Sequence, residues 1–316
     1  MKTILVSGAA GFIGAHTAQA LRARGDRVIG IDNLNPYYDV RLKRDRVKAL
    51  IPGVKMIEAD IADRKALGRS LPTIKIDQIC HLAAQAGVRY SLTHPHAYES
   101  ANNLGTLNLL EFAKERGIKS FIFSSSSSVY GANKKVPFSV TDPVDHPVSL
   151  YAATKRANEL TAHVYHHLYG MHCTGLRFFT VYGPWGRPDM AYFSFTKAIL
   201  EGKPIEVFNY GKMKRDFTYV TDIVAGVLSA LDHNYPYEIF NLGNSHPVTL
   251  GYFISTIESA LGKKAKARMR PLQPGDLPAT WADIKKTTRW LHWRPSTDIQ
   301  TGIRRFTDWY KDYFSV

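Results

Sequence analysis

The feature that most constrains this sequence is a set of three regularly spaced glycines in the segment SGAAGFIG. Gly8, Gly11 and Gly14 follow the strand-like segment KTILVSG and open the amphipathic helical segment FIGAHTAQALRARG. Without side chains the turn can be tight, and the unpaired N–H groups at the helix N-terminus, beginning at Phe12 and Ile13, can approach a phosphate. The motif predicts a phosphate-binding βα turn, although the glycines alone are also compatible with a plain tight turn.

Strand-like and helical segments alternate through the first half of the chain. RVIGIDN, VKMIEAD, KIDQICHLAA and KSFIFSSSS predict further strands, and long helical patterns cover 94–117 and 150–170. This alternation predicts βαβ units. We therefore predict an α/β fold with a doubly wound parallel sheet, the Rossmann arrangement, together with a smaller, discontinuous α/β substrate domain.

Carboxylates after the second and third strands extend the phosphate site toward a dinucleotide. Asp32 ends the second strand, 18 residues beyond Gly14, where a carboxylate can accept hydrogen bonds from ribose hydroxyls. The same carboxylate would repel a 2′-phosphate, which favours NAD over NADP. Asp60 follows the third strand and is expected at the adenine edge, with Ile61 packed beside it. Together these features predict NAD at the carboxyl ends of the strands.

The pattern changes after residue 177, where loops rich in glycine, proline and aromatic residues replace the regular alternation. The strand-like segment at 237–243 resembles a return to the first sheet. We predict an NAD-binding domain over 1–177 plus about 221–243, and a substrate domain over 178–220 plus 244–316. The ligand cleft is expected between them.

Tyr151 and Lys155 begin the second long helix with the spacing Tyr-x-x-x-Lys. Residues four apart share a helix face, so the ammonium can lie near the phenol. The ordinary pKa of a phenol is about 10, and a nearby cation favours the phenolate that can act as a base. In a chain with 17 tyrosines a surface pair is the simpler explanation. The serine run SSSSSVYG, however, places hydroxyls at the end of the preceding strand.

Charge and composition limit the partners. A net charge of +14 favours an anionic ligand, but no segment matches a nucleic-acid-binding motif, so we predict no nucleic-acid partner. No apolar run approaches the roughly 20 residues of a bilayer span, so we predict no membrane association. Cys80 and Cys173 lie in strand-like apolar segments, which is typical of a reduced, cytoplasmic protein. His163, His166 and His167 have no carboxylate or cysteine at ligand spacing, and we predict no metal site.

In their order along the chain, SGAAGFIG, Asp32, HLAAQAG, FSSSSSVYG, YAATK and RDFTYV resemble the extended short-chain dehydrogenases/reductases that act on nucleotide sugars. The likeness covers essentially the whole chain. Within that family, NLNPYYDVRLKRDR, AAQAGVRYS and VYGPWGRPDM are similar to the UDP-glucuronate 4-epimerases. The resemblance implies conversion of UDP-glucuronate to UDP-galacturonate through a transient 4-keto sugar. It also implies a tightly bound NAD that is recycled in each turnover, and a homodimer.

The resemblance also implies roles for single residues. Tyr151 is the acid/base, Lys155 lowers its pKa and holds the nicotinamide ribose, and Ser126 bonds the sugar O4, with Ser128 as the alternative within the serine run. The further cofactor contacts are Asn33, Leu82, Ala83, Ala84, Asn103 and Ser124. The further substrate contacts are Arg89, Ser127, Thr180, Arg187, Val207, Phe208, Arg215, Gln273 and Asp276.

Four groups of these substrate contacts have distinct tasks. Arg187 is expected to pair the uronate carboxylate in a fork, with Thr180 donating to the same group. Arg215 is expected on the diphosphate. Val207 and Phe208 are expected beside the uracil, and Gln273 and Asp276 on the uridine–diphosphate side.

Other functions remain open. Related dehydratases and decarboxylases carry acidic side chains where this chain has Ser124–Ser128, which disfavours both. A UDP-glucose/UDP-galactose 4-epimerase remains possible, with Arg187 at the surface. In a different class, the chain would be a non-catalytic NAD-sensing or basic nucleic-acid-binding Rossmann protein. The intact set of Tyr151, Lys155 and serines argues against that class, because a sensor needs only the cofactor site.

Overall fold

The computed structural model describes residues 1–71, 75–272 and 277–316. Strands and helices alternate up to the sixth strand, as the sequence predicts. These elements are β1 (Thr3–Ser7), α1 (Phe12–Ala23), β2 (Arg27–Asp32), α2 (Val40–Leu50), β3 (Lys55–Glu58), α3 (Arg64–Ser70), β4 (Gln78–His81), α4 (Tyr90–Thr93), α5 (Pro95–Tyr98), a π-helical segment (Glu99–Leu104), α6 (Gly105–Glu115), β5 (Ser120–Ser126), a 3₁₀ turn (Ser127–Tyr130), α7 (Leu150–Tyr169) and β6 (His172–Phe178).

Among the elements after β6, the strands are mostly shorter, whereas the helices are not. They are β7 (Thr180–Tyr182), α8 (Ala191–Leu200), β8 (Pro204–Val207), a 3₁₀ turn (Phe208–Gly211), β9 (Lys214–Arg215), β10 (Phe217–Tyr219), α9 (Val220–His233), β11 (Tyr237–Leu242), β12 (Val248–Thr249), α10 (Leu250–Leu261), β13 (Lys266–Met269), β14 (Ala279–Thr280), α11 (Lys285–Leu291) and α12 (Ile299–Phe314). In the described ranges, no helix has the length and apolar content to cross a bilayer.

Within the described residues, seven strands form one parallel sheet in the order β11-β6-β5-β4-β1-β2-β3. The chain builds from β1 out to β3 and then returns to place β4 on the other side of β1. The topological switch point therefore lies between β1 and β4. Loops diverge at such a point and leave a crevice at the carboxyl ends of the strands, where ligands bind. The predicted α/β fold with a doubly wound parallel sheet is confirmed.

The later strands divide between this sheet and smaller ones. β11 joins the main sheet beside β6, whereas β8 pairs with β13 and β9 lies between β12 and β14. The two-domain division, over 1–177 plus about 221–243 and over 178–220 plus 244–316, stays a prediction.

A buried carboxylate joins the segments around these small sheets. Asp216, between β9 and β10, is 1% exposed. It accepts hydrogen bonds from the backbone N–H groups of Asn244 (2.5 Å), Ser245 (3.0 Å) and Ala282 (2.9 Å). Burial raises the pKa of Asp216, and these three hydrogen bonds oppose the rise. One side chain thus fixes two segments that are distant from it in sequence.

The substitution Asp216→Ala removes the shared acceptor of three N–H groups in a buried site. Each unsatisfied buried donor costs about 1–3 kcal/mol, so we expect the free energy of unfolding to fall by about 3 kcal/mol or more. Denaturant unfolding followed by circular dichroism measures this loss. Asp63→Ala is the control, because Asp63 accepts one N–H at an exposed helix N-terminus and its loss should cost about 1 kcal/mol. Equal losses in both variants would contradict the role of Asp216.

Candidate active site

The glycine turn after β1 packs closely against the loop after β4. A Cβ on Gly8 would lie 2.7 Å from the backbone nitrogen of Ala83, and a Cβ on Gly14 would lie 2.0 Å from the carbonyl oxygen of Gly8. The φ of Gly8 is +71°, which side chains disfavour. Gly11 donates its N–H to the Gly8 carbonyl at 2.8 Å. The backbone therefore forms a bare cradle at the N-terminus of α1, where a diphosphate fits.

Asp32 and Asp60 lie at the same sheet edge as this cradle. The Asp32 carboxylate is buried and accepts from the N–H groups of Ala10 (3.1 Å) and Leu34 (2.8 Å). Asp60 is exposed and accepts from the side-chain amide of Asn33 at 3.0 Å. An ionised carboxylate has about four acceptor positions, so both groups retain capacity for ribose or adenine donors. The residues present fit a dinucleotide.

The remaining predicted cofactor residues line this crevice or support it. The N–H groups of Leu82 and Ala83 donate to the backbone oxygen (3.1 Å) and hydroxyl (3.3 Å) of Ser7, and Ala84 follows them, half-buried. Ile61 is buried and Ile13 is half-buried. Phe12 packs in the apolar core and is 5% exposed, so its backbone rather than its ring faces the cradle.

Asn102, next to the predicted Asn103, joins the loop after β4 to α7. Asn102 is buried, accepts from the N–H of Gln85 (2.8 Å), and donates to the Gln85 carbonyl (3.1 Å) and the Thr154 hydroxyl (3.0 Å). Asn103 donates to Glu99 instead, at 2.7 Å. These residues lie in the π-helical segment, whose wider turn changes the direction of the side chains. Among the described residues the buried amide oxygen of Asn103 has no hydrogen-bond partner, and its contact with the cofactor stays a prediction.

The serine run resolves into distinct contacts. Ser126 lies near enough to the Tyr151 phenol to lower its pKa through a side-chain hydrogen bond. Ser128 donates its N–H to the Ser126 hydroxyl at 3.1 Å and so supports it. Ser127 lies between them and is half-buried. Which serine bonds a sugar O4 stays a prediction, and Ser126 has the better position for it.

Lys155 lies beside Ser124, near the end of β5. It is 2% exposed, and its Nζ donates to the carbonyl (2.8 Å) and hydroxyl (3.1 Å) of Ser124. Burial lowers the pKa of Lys155 to about 7, and the charge of Glu159 opposes this shift.

The pKa of Tyr151 is raised, because burial outweighs a hydrogen bond with Ser126 and the charge of Arg187. We expected Lys155 to lower this pKa. The charge of Arg187 lowers it, while the Lys155 ammonium donates to Ser124. The expected effect of Lys155 on the phenol stays a prediction.

The predicted sugar-side residues separate into two groups. Arg187 is near enough to Tyr151 to affect its pKa, and it forms a fork with Asp189. Thr180 begins β7, half-buried, with its N–H bonded to the Asp216 carbonyl at 3.1 Å.

The second group comprises Arg89, Val207, Phe208 and Arg215. The guanidinium of Arg89 stands 6.0 Å from the ring centroid of Phe208, so the structure brings these two residues together. Val207 is 1% exposed within an apolar cluster. Its predicted contact with uracil is therefore wrong for the side chain, and Phe208 alone of that pair keeps an accessible face. Arg215 donates to the carbonyls of Lys214 and Leu277.

Two predicted contacts and one predicted absence complete the comparison. Gln273 and Asp276 lie outside the described residues. Across the described ranges, no three His, Cys, Asp or Glu side chains are grouped to hold a metal ion.

Sequence reasoning missed Asn102, Asp189 and Tyr37. The NPYYD segment contained Tyr37, but nothing in the spacing showed where its ring would lie.

A parallel sheet with a glycine cradle at its switch point, and a Tyr–Lys helix beside a serine-ended strand, defines a dinucleotide-dependent enzyme of the short-chain dehydrogenase/reductase class. Residues 4–243 match the NAD dependent epimerase/dehydratase family, and the chain belongs to that family.

Relatives and solved structures agree with this assignment. UDP-glucuronate 4-epimerase 1 of Arabidopsis thaliana is 47% identical over an alignment of 331 positions. The alignment covers 99% of this chain and 77% of the relative. The UDP-glucuronic acid 4-epimerase of Bacillus cereus, solved with UDP-glucuronic acid and NAD, is 35% identical with a TM-score of 0.89, covering 98% of this chain and 99% of that one. The UDP-glucose 4-epimerase of Thermotoga maritima, solved with UDP-glucose, is 30% identical with a TM-score of 0.89 and covers 99% of both chains.

The substitution Gly14→Ala places a methyl group 2.0 Å from the Gly8 carbonyl oxygen, so the cradle must open. We expect NAD affinity to fall about a hundredfold or more, because the backbone donors lose their alignment with the diphosphate. Calorimetric titration of the NAD-free protein measures the change. Gly68→Ala is the control, since nothing lies within 4 Å of its added Cβ. An unchanged NAD affinity in a folded Gly14→Ala protein would exclude this turn as the diphosphate site.

Proposed function

We propose that this protein is a UDP-glucuronate 4-epimerase that interconverts UDP-glucuronate and UDP-galacturonate through a transient 4-keto sugar. The observation that carries the proposal is the pair of groups acting on the Tyr151 phenol: the Ser126 hydroxyl and the Arg187 guanidinium. The first suits the O4 hydroxyl of a sugar, and the second suits a carboxylate beyond it. The likeness to UDP-glucuronate 4-epimerases of plants and of Bacillus cereus supports the same substrate.

Each residue has one task in this reaction. NAD, when bound, accepts the hydride from C4 and returns it, so it is regenerated in every turnover. Tyr151 takes the proton of the C4 hydroxyl and later gives it back to the 4-keto oxygen. Ser126 orients both O4 and the phenol. Lys155, anchored on Ser124, holds the nicotinamide ribose. The keto sugar turns over within the pocket, so hydride returns to the opposite face and C4 is inverted.

A uronate substrate adds a requirement that a neutral hexose lacks. Oxidation at C4 makes a β-keto acid, which loses CO₂ when its C5–C6 bond stands perpendicular to the carbonyl plane. In this proposal Arg187 and Thr180 hold the carboxylate away from that orientation by positioning alone. Diphosphate and uronate together carry about three negative charges, and the net charge of +14 favours their approach.

The decisive experiment incubates the purified protein with UDP-glucuronate, with UDP-glucose and UDP-galactose in parallel, and separates the products by anion-exchange chromatography. We expect UDP-galacturonate, at a kcat/KM at least about a hundredfold above that of either hexose. Tyr151→Phe should abolish turnover and retain NAD, because it loses only the proton-transferring hydroxyl. Preference for UDP-glucose would favour the hexose epimerase. A protein that binds NAD and converts no sugar nucleotide would favour the non-catalytic class.

We also assign this activity to the cytoplasm. Cys80 and Cys173 are both buried and free, which suits a reducing compartment.

A homodimer is part of the proposal, and an apolar face on α6 and α7 supports it. Leu160, Val164 and Leu168 repeat every four residues on α7 and are 53%, 48% and 60% exposed. Leu104, the last residue of the π-helical segment, and Leu107, in the first turn of α6, are also exposed, and α6 packs against α7. A second copy related by a two-fold axis would bury all five side chains in a four-helix contact.

The substitution Val164→Glu places a charge in the centre of this face. Burying an unpaired carboxylate is unfavourable, so we expect the variant to elute as a monomer while the unchanged protein elutes as a dimer. Size-exclusion chromatography with light scattering measures the mass. Met269→Glu, at an exposed apolar position on β13, should leave the dimer intact. A monomeric unchanged protein would refute the homodimer.

A further inference from the structure

Asp189 holds one edge of the Arg187 guanidinium. Its Nε donates to Asp189 Oδ1 at 3.0 Å, and its Nη2 donates to Asp189 Oδ2 at 2.6 Å. The two side chains are 22% and 32% exposed, so the fork is partly shielded from water. A guanidinium has five N–H groups and this fork uses two of them. The Nη1 end of the group therefore remains suited to a second carboxylate.

Tyr37 supports the fork from a different loop. It follows β2, and its hydroxyl donates to Asp189 Oδ2 at 3.1 Å. Its ring centroid is 5.9 Å from the centre of the Arg187 guanidinium, a cation–π distance. Tyr37 thus contacts both members of the ion pair, and it limits rotation of Arg187 about its long side chain.

The loop after β4 closes the third side of this cluster. Gly87 has a φ of +105°, and a Cβ there would lie 2.8 Å from the Tyr37 hydroxyl and 3.6 Å from Arg187 Nη2. The absence of a side chain at Gly87 lets the tyrosine and the arginine pack against its backbone. The loops after β2, β4 and β7 therefore meet at the Arg187 guanidinium.

A chain of aromatic rings connects this cluster to the phenol of the active site. Tyr37 packs on Tyr90 with ring centroids 4.7 Å apart, Tyr90 on Tyr98 at 6.3 Å, and Tyr98 on Tyr151 at 6.0 Å. Tyr98 donates its hydroxyl to the carbonyl of Ala86 at 3.0 Å. The distance from the fork to Tyr151 is thus fixed by packed rings, because close-packed side chains compress little.

We propose that Asp189 and Tyr37 are positioning residues that hold the Arg187 guanidinium in the orientation that restrains the carboxylate of a uronate sugar. This inference rests on the proposed function. Neither residue touches the reacting atoms. They act by removing the freedom of Arg187 before the substrate arrives, so that the carboxylate meets a fixed donor edge.

The consequence appears in the fate of the 4-keto uronate. When the carboxylate is not restrained, the sugar ring can change pucker and turn the C5–C6 bond perpendicular to the plane of the C4 carbonyl. That bond then breaks, CO₂ leaves, and its electron pair forms the enolate, which takes a proton at C5. The hydride removed from C4 stays on the cofactor, and the product is UDP-4-keto-pentose. The fraction of turnovers that end this way, the leak fraction, reports the orientation of the carboxylate rather than the amount of folded enzyme.

The experiment measures UDP-4-keto-pentose and UDP-galacturonate by mass spectrometry after incubation with UDP-glucuronate. We expect Asp189→Asn to raise the leak fraction about tenfold, because an amide cannot hold both Nε and Nη2 in a charged fork. Tyr37→Phe, which loses one hydroxyl and keeps the ring, should raise it by a smaller factor. Arg187→Ala sets the upper limit, because it removes the restraint itself.

Asp39→Asn is the matched control. Asp39 and Arg41 form a fork with the same two-residue spacing, with Arg41 Nη2 2.6 Å from Asp39 Oδ2, but these side chains are 51% and 85% exposed. An asparagine there keeps the cap of α2, so the leak fraction should match that of the unchanged protein.

The possible outcomes separate the two proposals. If Arg187→Ala leaks and Asp189→Asn does not, Arg187 holds the carboxylate without help, and the positioning role is overturned while the epimerase function stands. If both Asp189→Asn and Tyr37→Phe lose rate with an unchanged leak fraction, their role is structural and the inference is wrong. If the unchanged protein does not convert UDP-glucuronate, the proposed function itself fails.

Discussion

The close approach of two backbones at the switch point is the constraint on which the site depends. Gly8 directly follows β1 and has no side chain, so the loop after β4 can pass within contact distance at Ala83. The neighbouring Ser7 reinforces this approach through His81, whose ring bonds the hydroxyls of Ser7 (2.7 Å) and Thr106 (2.9 Å). Burial lowers the pKa of His81 to about 3, so the ring is neutral and offers one donor and one acceptor. β1, β4 and α6 are thereby fixed around one crevice.

A buried ion pair orients the helix that carries the reactive groups. Glu159 lies one turn beyond Lys155 on α7 and pairs with Arg177 through two bonds of 2.8 and 2.9 Å, while Ser125 donates to the same carboxylate. Buried pairs of this kind add little net stability because desolvation opposes the Coulomb attraction. Their effect here is geometric: α7 cannot rotate without exposing a charge. The charge of Glu159 also favours the protonated form of Lys155 against burial.

The sequence predicted the features that depend on local pattern and missed those that depend on side-chain direction. The strands, the long helices and the glycine turn follow from period and motif, and the structure has them. Five consecutive serines have no pattern that distinguishes one from another, so only the structure shows that Ser126 lies beside Tyr151. Asn102 was missed because it lies in a π-helical turn, which no residue type predicts. Val207 is different: it shares a strand face with the buried Ile205, and alternation alone could have placed it inside.

The fold itself does not select the sugar, since epimerases acting on UDP-glucuronate and on UDP-glucose share it. Selection must come from side chains that meet C6, where the two sugars differ by one negative charge. In the proposed function Arg187 combines two roles there, because its charge suits that carboxylate and also lowers the pKa of Tyr151. The Asp189 carboxylate already offsets part of the Arg187 charge. A bound uronate would offset more of it, so Arg187 would lower the pKa of Tyr151 by less. Under that proposal, substrate choice and proton transfer are coupled through one guanidinium, and a change that alters the first also alters the second.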